Sequence, residues 1–510
     1  MTTRYLTTPI YYANDRPHIG HAYTTIAADA VARYHRLHGR DVVLLTGTDE
    51  HGINVERIAA QRGLSPQQHV DEITAAFREL WTQLEIDDDR FVRTTEPGHR
   101  RAALAVWERL QASGDLYRGV YEGPYCPRCE AYYQPDELGA GRDCPVHGLP
   151  CDQVREENWF FRLTRYQPAL ERLVRETDFV QPEARRNEVL GVLRQGLRDF
   201  SVSRAQVRWG IPVPESSDEV LYVWVDALSS YLSGVGFPDD PATFERYWPA
   251  DVHLIGKEIL RFHVLYWPAL LLSAGLPLPR RVFAHGWLTK DGQKISKSTG
   301  NVIDPSALAA EFGADAVRYY FLAAVPFGQD GDYTRRDFVA RYTADLANDF
   351  GNLVQRATAL ASQHPALAGR HAAPLSPAEE RLREHARALT DRVTAGFETL
   401  ALHEALAAVG GFVREANRYV ETTAPWALAR QGDTHRLALV LAHIVEATRL
   451  AAWWYAPIIP RAAAEAHRRL AGTPPQPGQG GFAPNRPWTV VVGPPLFPRL
   501  ELSGSPPAVH

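Results

Sequence analysis

Residues 4–52 read "RYLTTPIYYANDRPHIGHAYTTIAADAVARYHRLHGRDVVLLTGTDEHG". The pattern changes period twice. "RYLTTPIYYAN" is rich in β-branched and aromatic side chains, which suit a strand. "GHAYTTIAADAVARYHRLHGR" carries Ile26, Ala30, Val31 and Tyr34 at helical spacing and closes at Gly39. "DVVLLTGTDEHG" is a near-continuous apolar run, the pattern of a parallel strand buried on both faces. Together they make a βαβ unit opening an α/β, doubly wound sheet of Rossmann type. Ligands of such sheets gather at the carboxyl ends of the strands. "RPHIGH" and "TGTDEHG" both fall there and face one crevice.

In "RPHIGH", Pro17 suits the first turn of a helix, Gly20 lets a ligand approach the backbone, and His18 and His21, three apart, share a face. A helix N-terminus with two imidazoles can stabilise charge developing on a phosphate. Two histidines alone more often serve as caps or core donors, so the rest of the chain has to decide. The pattern resumes at "DVHLIGKEI", a strand running into a helix that "LRFHVLYWPALLLSAG" continues, and "RRVFAHGWL" is a further strand. Then comes "LTKDGQKISKS", Leu288 to Ser298. The chain has 55 Lys+Arg but only four lysines, Lys257, Lys290, Lys294 and Lys297, three of them in these eleven residues. A bias toward arginine would scatter the leftovers. A mobile loop that needs a compact, hydrated point charge on a flexible stem would gather them. By composition the loop is a phosphate clamp, although no Walker A pattern precedes it.

At 510 residues the expectation is about three domains. The amino terminus lacks the basic flank and apolar run of a signal peptide, and no stretch reaches transmembrane length, which predicts a cytoplasmic protein with no membrane partner. A net charge of -5 gives no global nucleic-acid signature, though a local Arg-rich face remains open. Four cysteines in one short segment point to metal rather than disulfides. "CPRCE" and "CPVHG" share their internal spacing, which favours Cys126, Cys129, Cys144 and His147 as the four ligands of one structural Zn2+, with Cys151 spare. Cys151 in place of His147 stays open.

"HIGH" at His18 to His21 and "KISKS" at Lys294 to Ser298 resemble the two signatures of class I aminoacyl-tRNA synthetases, in matching order and sheet context. The longer strings "PIYYANDRPHIGHAYTT", "LTGTDEHG", "YVWVDALSSYL" and "IGKEILRFHVLYWPA" resemble the methionyl-tRNA synthetase family, and the likeness runs to about Arg430. Ile295 stands where the family usually has Met. The resemblance implies methionine activation with ATP and Mg2+, then transfer to tRNA(Met). His18, Gly20, His21, Gly256 and Glu258 would hold ATP, and Lys294 and Lys297 would neutralise its leaving phosphates. Ile10, Tyr12, Trp224, Ala227, Tyr231, Ile259, Phe262 and His263 would form the methionine pocket, with Asp49 on the α-ammonium. Ile259, Phe262 and His263 fall at i, i+3 and i+4 of one predicted helix, so they would line a single wall. A pocket offering only shape discriminates by about 1–3 kcal/mol per methylene, so homocysteine is a problem substrate.

The same likeness organises the chain. Residues 1–115 and 215–288 are the halves of the catalytic domain, 116–214 a zinc-binding insertion and 289–336 a linking region with the lysine loop. Residues 337–470 are Ala/Leu/Arg-rich helical patterns of a bundle, and 471–510 a Pro/Gly-rich tail expected to pack back on the body. In the bundle, "GNLVQR" and "ANRYVETTAPW" resemble the anticodon-reading strings, which implies that Asn352, Arg356 and Trp426 read unpaired bases. The chain stops without the further tRNA-binding domain of dimeric relatives, which predicts a monomer. Competing readings are an inactive RNA-binding paralogue, a ligase for another amino acid, and an adenylating enzyme with an acceptor other than tRNA. A cysteine-specific ligase would need zinc in its substrate pocket, whereas every cysteine here lies in the insertion.

Overall fold

The computed structural model describes residues 2–126, 131–133, 138–139, 141–145, 148–214, 216, 218–295, 301–369 and 373–500. Two compact units share the chain, Met1–Ala32 with Arg40–Trp287, and Arg33–Gly39 with Leu288–His510.

The first unit is built on the opening βαβ, except for the end of its helix at Arg33–Gly39, which belongs to the second. Strand β1 (Thr3–Thr7) leads through the short β2 (Tyr11–Tyr12) to helix α1 (Ile19–Leu37) and strand β3 (Asp41–Asp49). Ile26, Ala30, Val31 and Tyr34 are all buried, as their spacing predicts. Gly39 ends the helix at a positive φ of 71°. Every residue of β3 after Asp41 is buried, and β3 is paired along its length with parallel strands, the pattern its continuous apolar run predicts. Strand β4 (Arg90–Arg93) and β2 pair with β3, and β1 pairs with β3 on one side and Val252–Gly256 on the other. Val282–His285 and Val180–Gln181 extend the sheet from there, every pairing parallel. Chain order therefore reverses beside β1, which opens the ligand crevice of a doubly wound sheet at the strand ends. Helices α2 (Ile53–Gln61), α3 (Pro66–Gln83) and α4 (Pro97–Ala112) follow β3. Between the half-sheets, Leu116–Cys126 and Asp152–Phe161 form a ten-pair antiparallel ladder with its own short edge strands.

In the second unit, Leu288–Lys290 pairs with Gln293–Lys294 and Gly331–Tyr333. Helices follow, among them Pro377–Glu398, Leu402–Thr423 and Thr434–Tyr455. Thr434–Tyr455 is long and apolar enough to cross a membrane, and its apolar window is wholly buried in the protein. Three carbonyls in the described part of the Pro/Gly-rich tail are held by side chains of the helix Thr434–Tyr455. Arg449 donates to the carbonyls of Gln479 and Gly481, each at 2.9 Å, and Trp453 Nε1 to Gln476 O at 2.9 Å. Proline-rich backbone is short of N–H groups, so buried side-chain donors hold its carbonyls.

Glu379 ties the bundle together. Its carboxylate accepts from Ser376 N at 2.8 Å, from Arg436 at 2.8 Å and from the Tyr419 hydroxyl. Burial would raise its pKa, but these bonds outweigh burial and hold it at about 2, below the ordinary 4.5. A depressed folded pKa stabilises the protein above the unfolded value, and that contribution is lost as pH falls from about 4.5 to 2. The shift corresponds to roughly 3 kcal/mol. Glu379→Gln is therefore expected to cost about that much at pH 7 and little near pH 2, measured by urea unfolding at both pH values.

Candidate active site

The "HIGH" turn sits where α1 begins. The Gly20 N–H donates to His18 Nδ1 at 3.1 Å and the His18 N–H to His21 Nδ1 at 3.3 Å, so both imidazoles do act as caps. The rings also stack, centroids 3.7 Å apart. With Nδ1 accepting, each ring carries its proton on Nε2, a donor suited to an anion. A Cβ on Gly20 would press on the His18 ring at 3.0 Å, so ring packing as well as backbone access asks for glycine here. At the neighbouring strand ends Gly256 lies in register with His285. A Cβ on Gly256 would collide with the Glu258 carboxylate. Glu258 accepts from Trp287 Nε1 at 3.0 Å, and the Lys257 ammonium lies 4.1 Å from the centre of that ring.

Trp224 and Ala227, on Val223–Leu228, are buried a few residues from Tyr231 on Ser230–Ser233. Phe262 stacks flat on Trp224 at 3.8 Å, and Tyr12 meets Trp224 edge-on at 6.3 Å. Ile10 and Ile259 pack against the same core. The regular helix predicted across 259–263 is absent. Ile259 ends a 3-10 turn (Lys257–Ile259) and Phe262 and His263 open a π-helical turn (Phe262–Tyr266), a conformation frequent at functional sites. The wider turn sends Phe262 to Trp224 and His263 to Tyr231. His263 Nδ1 is 3.0 Å from the Ile259 carbonyl, so it carries the proton, and Nε2 accepts from the Tyr231 hydroxyl at 2.7 Å. Burial lowers the His263 pKa to about 4, keeping the ring neutral. Asp49, 3% exposed, ends β3 in register with Tyr12. The result is an uncharged aromatic wall with one buried carboxyl group at a strand end, suited to an amino acid with an apolar side chain.

Sequence reasoning passed over what lies behind this wall. Asp226, 1% exposed, is 2.6 Å from His51 Nδ1 and 2.6 Å from His99 Nε2. Burial would raise its pKa, but the charges and hydrogen bonds of the two imidazoles hold it at about 2. The only signal for this cluster was the His of "TGTDEHG". His99 and Asp226 are ordinary helical residues until the fold joins them.

The lysine loop begins as a tight hairpin. Asp291 and Gly292, both at positive φ, form the two-residue turn between Lys290 and Gln293. Lys290 Nζ donates to the Val302 carbonyl at 2.9 Å, so this lysine fastens the hairpin. Lys294 ends the returning strand. Lys297 lies outside the described residues.

In the insertion, Cys126 ends one ladder strand and Cys151 directly precedes the other, in which Asp152 pairs with Tyr125. The Gly148 N–H donates to Cys144 O at 2.8 Å, closing a knuckle with Gly148 at φ 62°. Cys126 and Cys144 are buried. Burial and the nearby Cys126 and Cys144 sulfurs push the Cys151 thiol up to about 11, so the cysteine read as spare lies with the others. Cys129 and His147 are outside the described residues, and among the described ones no group of three or more His, Cys, Asp or Glu is arranged to hold a metal ion. The converging buried thiols nonetheless fit the chemistry of a zinc donor set.

In the helical unit Asn352 opens the helix Asn352–Ser362 and is exposed, with Arg356 one turn on. Arg356 is 3.4 Å from Glu421 on Leu402–Thr423. Trp426 follows that helix after a left-handed Ala424 and is 43% exposed. Its ring lines a cleft of about 460 Å³ with Gln363, His364, Arg430 and Leu441.

The family model described as tRNA synthetases class I (M) matches residues 4–153 and 143–358. The chain is 48% identical to a methionine–tRNA ligase of Thermosynechococcus vestitus over 89% of this chain and 88% of the relative. It is 43% identical to that of Thermotoga maritima over 98% of this chain and 80% of the relative. A Mycobacterium tuberculosis methionyl-tRNA synthetase solved with methionyl-adenylate superposes with a TM-score of 0.93 at 42% identity, covering 98% of this chain and 100% of that one. The apo form of that enzyme gives 0.86.

Proposed function

The chain belongs to the methionine–tRNA ligase family of class I tRNA synthetases, and from that premise we propose how its residues divide the reaction. It activates L-methionine with ATP to methionyl-adenylate and pyrophosphate, then transfers the methionyl group to the 3′ end of tRNA(Met). The observation that carries the reading is the uncharged pocket of Trp224, Phe262, Tyr231 and neutral His263, with the buried Asp49 at a strand end. A thioether asks for shape and polarisable contact, while the α-ammonium asks for a carboxylate. Ile10, Tyr12, Ala227 and Ile259 complete the side-chain pocket.

His18 and His21 donate to the α-phosphate region, with Gly20, Gly256 and Glu258 seating the rest of the nucleotide. Lys294 and Lys297 take the leaving phosphates. Mg2+ bound with ATP would supply further neutralisation of the charge that Lys294 and Lys297 face. No protein nucleophile is required, since in-line displacement at phosphorus needs positioning and charge stabilisation. The test is amino-acid-dependent ATP–pyrophosphate exchange across all twenty amino acids without tRNA. A methionine-only signal is expected. Exchange with another amino acid would overturn the pocket assignment, and none at all would favour an inactive RNA-binding paralogue.

Residues 116–214 serve as the insertion and 337–470 as the anticodon-binding bundle, in a cytoplasmic monomer. Zinc held by Cys126, Cys129, Cys144 and His147 would fix the insertion's knuckles and supply no chemistry to the reaction. About one zinc per chain is expected by mass spectrometry of the metal content. Cys126→Ser should lose it and Cys151→Ser should keep it; the reverse for Cys151 would put that residue in the set in place of His147. Asn352, Arg356 and Trp426 read the anticodon, a role supported by the exposure of Trp426 beside a cleft. Stacking on one base is worth about 1–3 kcal/mol. Trp426→Ala should therefore lower kcat/KM for tRNA charging about ten- to a hundredfold and leave pyrophosphate exchange intact. An equal fall in both would reject anticodon reading.

A further inference from the structure

The carboxylate of Asp226 takes no part in the chemistry above, yet it links three of the stretches that carry the amino-acid pocket. Through His51 it reaches the end of β3, two residues from Asp49. Its own helix presents Trp224 and Ala227, three apart on one face, while Asp226 falls on the other side of the same turn. Through His99 on α4 it reaches Ser233, whose Oγ is 3.1 Å from His99 Nδ1 and donates to the Ser230 carbonyl at 3.2 Å. That short helix carries Tyr231, the partner of His263. An ionised carboxylate only accepts, so both imidazoles donate to it, in two short, charge-assisted bonds. Such bonds in a buried site hold geometry tightly.

We propose that Asp226 is a positioning residue that sets the width of the amino-acid pocket, and with it the preference for a side chain of methionine's length; the proposal rests on the methionine-activating reading above. The hub fixes the separation between the ammonium end at Asp49 and the side-chain wall at Trp224 and Tyr231. An amide of the same shape cannot do this. Asparagine presents an NH2 group to one of the two N–H donors, and the pair must part or one ring must change tautomer.

Asp226→Asn is expected to raise the KM for methionine in pyrophosphate exchange about ten- to a hundredfold, the cost of a displacement near 1 Å at a reacting geometry. The KM for ATP should stay within about twofold. The kcat/KM preference for methionine over its S-ethyl analogue, one methylene longer, should narrow by about fivefold or more. Ser233→Ala removes the outer link alone and should raise the methionine KM by about two- to tenfold; it decides the matter if the Asp226 variant does not fold. A fall in melting temperature with both KM values and the preference unmoved would overturn the proposal and leave a purely structural cluster. Wild-type enzyme without methionine-dependent exchange would overturn the functional reading instead.

Discussion

Lys297→Ala is expected to lower the rate of methionine-dependent pyrophosphate exchange by about a hundred- to a thousandfold, with the KM for methionine within about twofold of wild type. The reason is where charge develops. As the α-phosphorus is attacked, negative charge moves onto the departing phosphates, and an ammonium placed there is worth far more in the transition state than in the ground state. Lys290 is the internal control. Its Nζ donates to the Val302 carbonyl, so Lys290→Ala should loosen the hairpin and leave most of the rate. Stopped-flow measurement of adenylate formation separates the two. If Lys297→Ala weakened methionine binding as much as it slowed the chemistry, the lysine would be a binding group and the assignment would fail.

The contrast between those lysines shows what the chain alone could and could not reveal. Local periodicity exposed the βαβ unit, because burial on both faces makes β3 apolar throughout and the helical repeat of α1 is regular. The positions of "HIGH" and "TGTDEHG" followed, since both lie at strand ends of that unit. Lysine clustering marked the loop, but the hydrogen bond that fixes Lys290 joins it to a residue twelve positions on, which no pattern encodes. The π-helical turn at Phe262–Tyr266 escaped for a related reason. One extra residue in a turn is set by what the aromatic rings pack against, not by their spacing. Asp226, His51 and His99 are further still from local logic, being separated by 175 and 127 positions along the chain.

Asp49→Ala should produce the other large effect, a rise in the methionine KM of about two to three orders of magnitude, because removing one partner of a buried ion pair costs about 3–5 kcal/mol. Asp49 is buried at the end of β3, and the adjacent Tyr12 brings the side-chain pocket to the same place. The decisive comparison uses the analogue of methionine that lacks the α-amino group, measured by calorimetry. Wild-type enzyme should bind methionine far more tightly than this analogue, since only the amino acid supplies an ammonium to the carboxylate. In Asp49→Ala the two ligands should bind with nearly equal affinity, because a ligand ammonium then enters a buried site with no counter-charge. A variant that still strongly preferred methionine over the deaminated analogue would mean that another group takes the ammonium, and the polar end of the pocket would have to be drawn elsewhere.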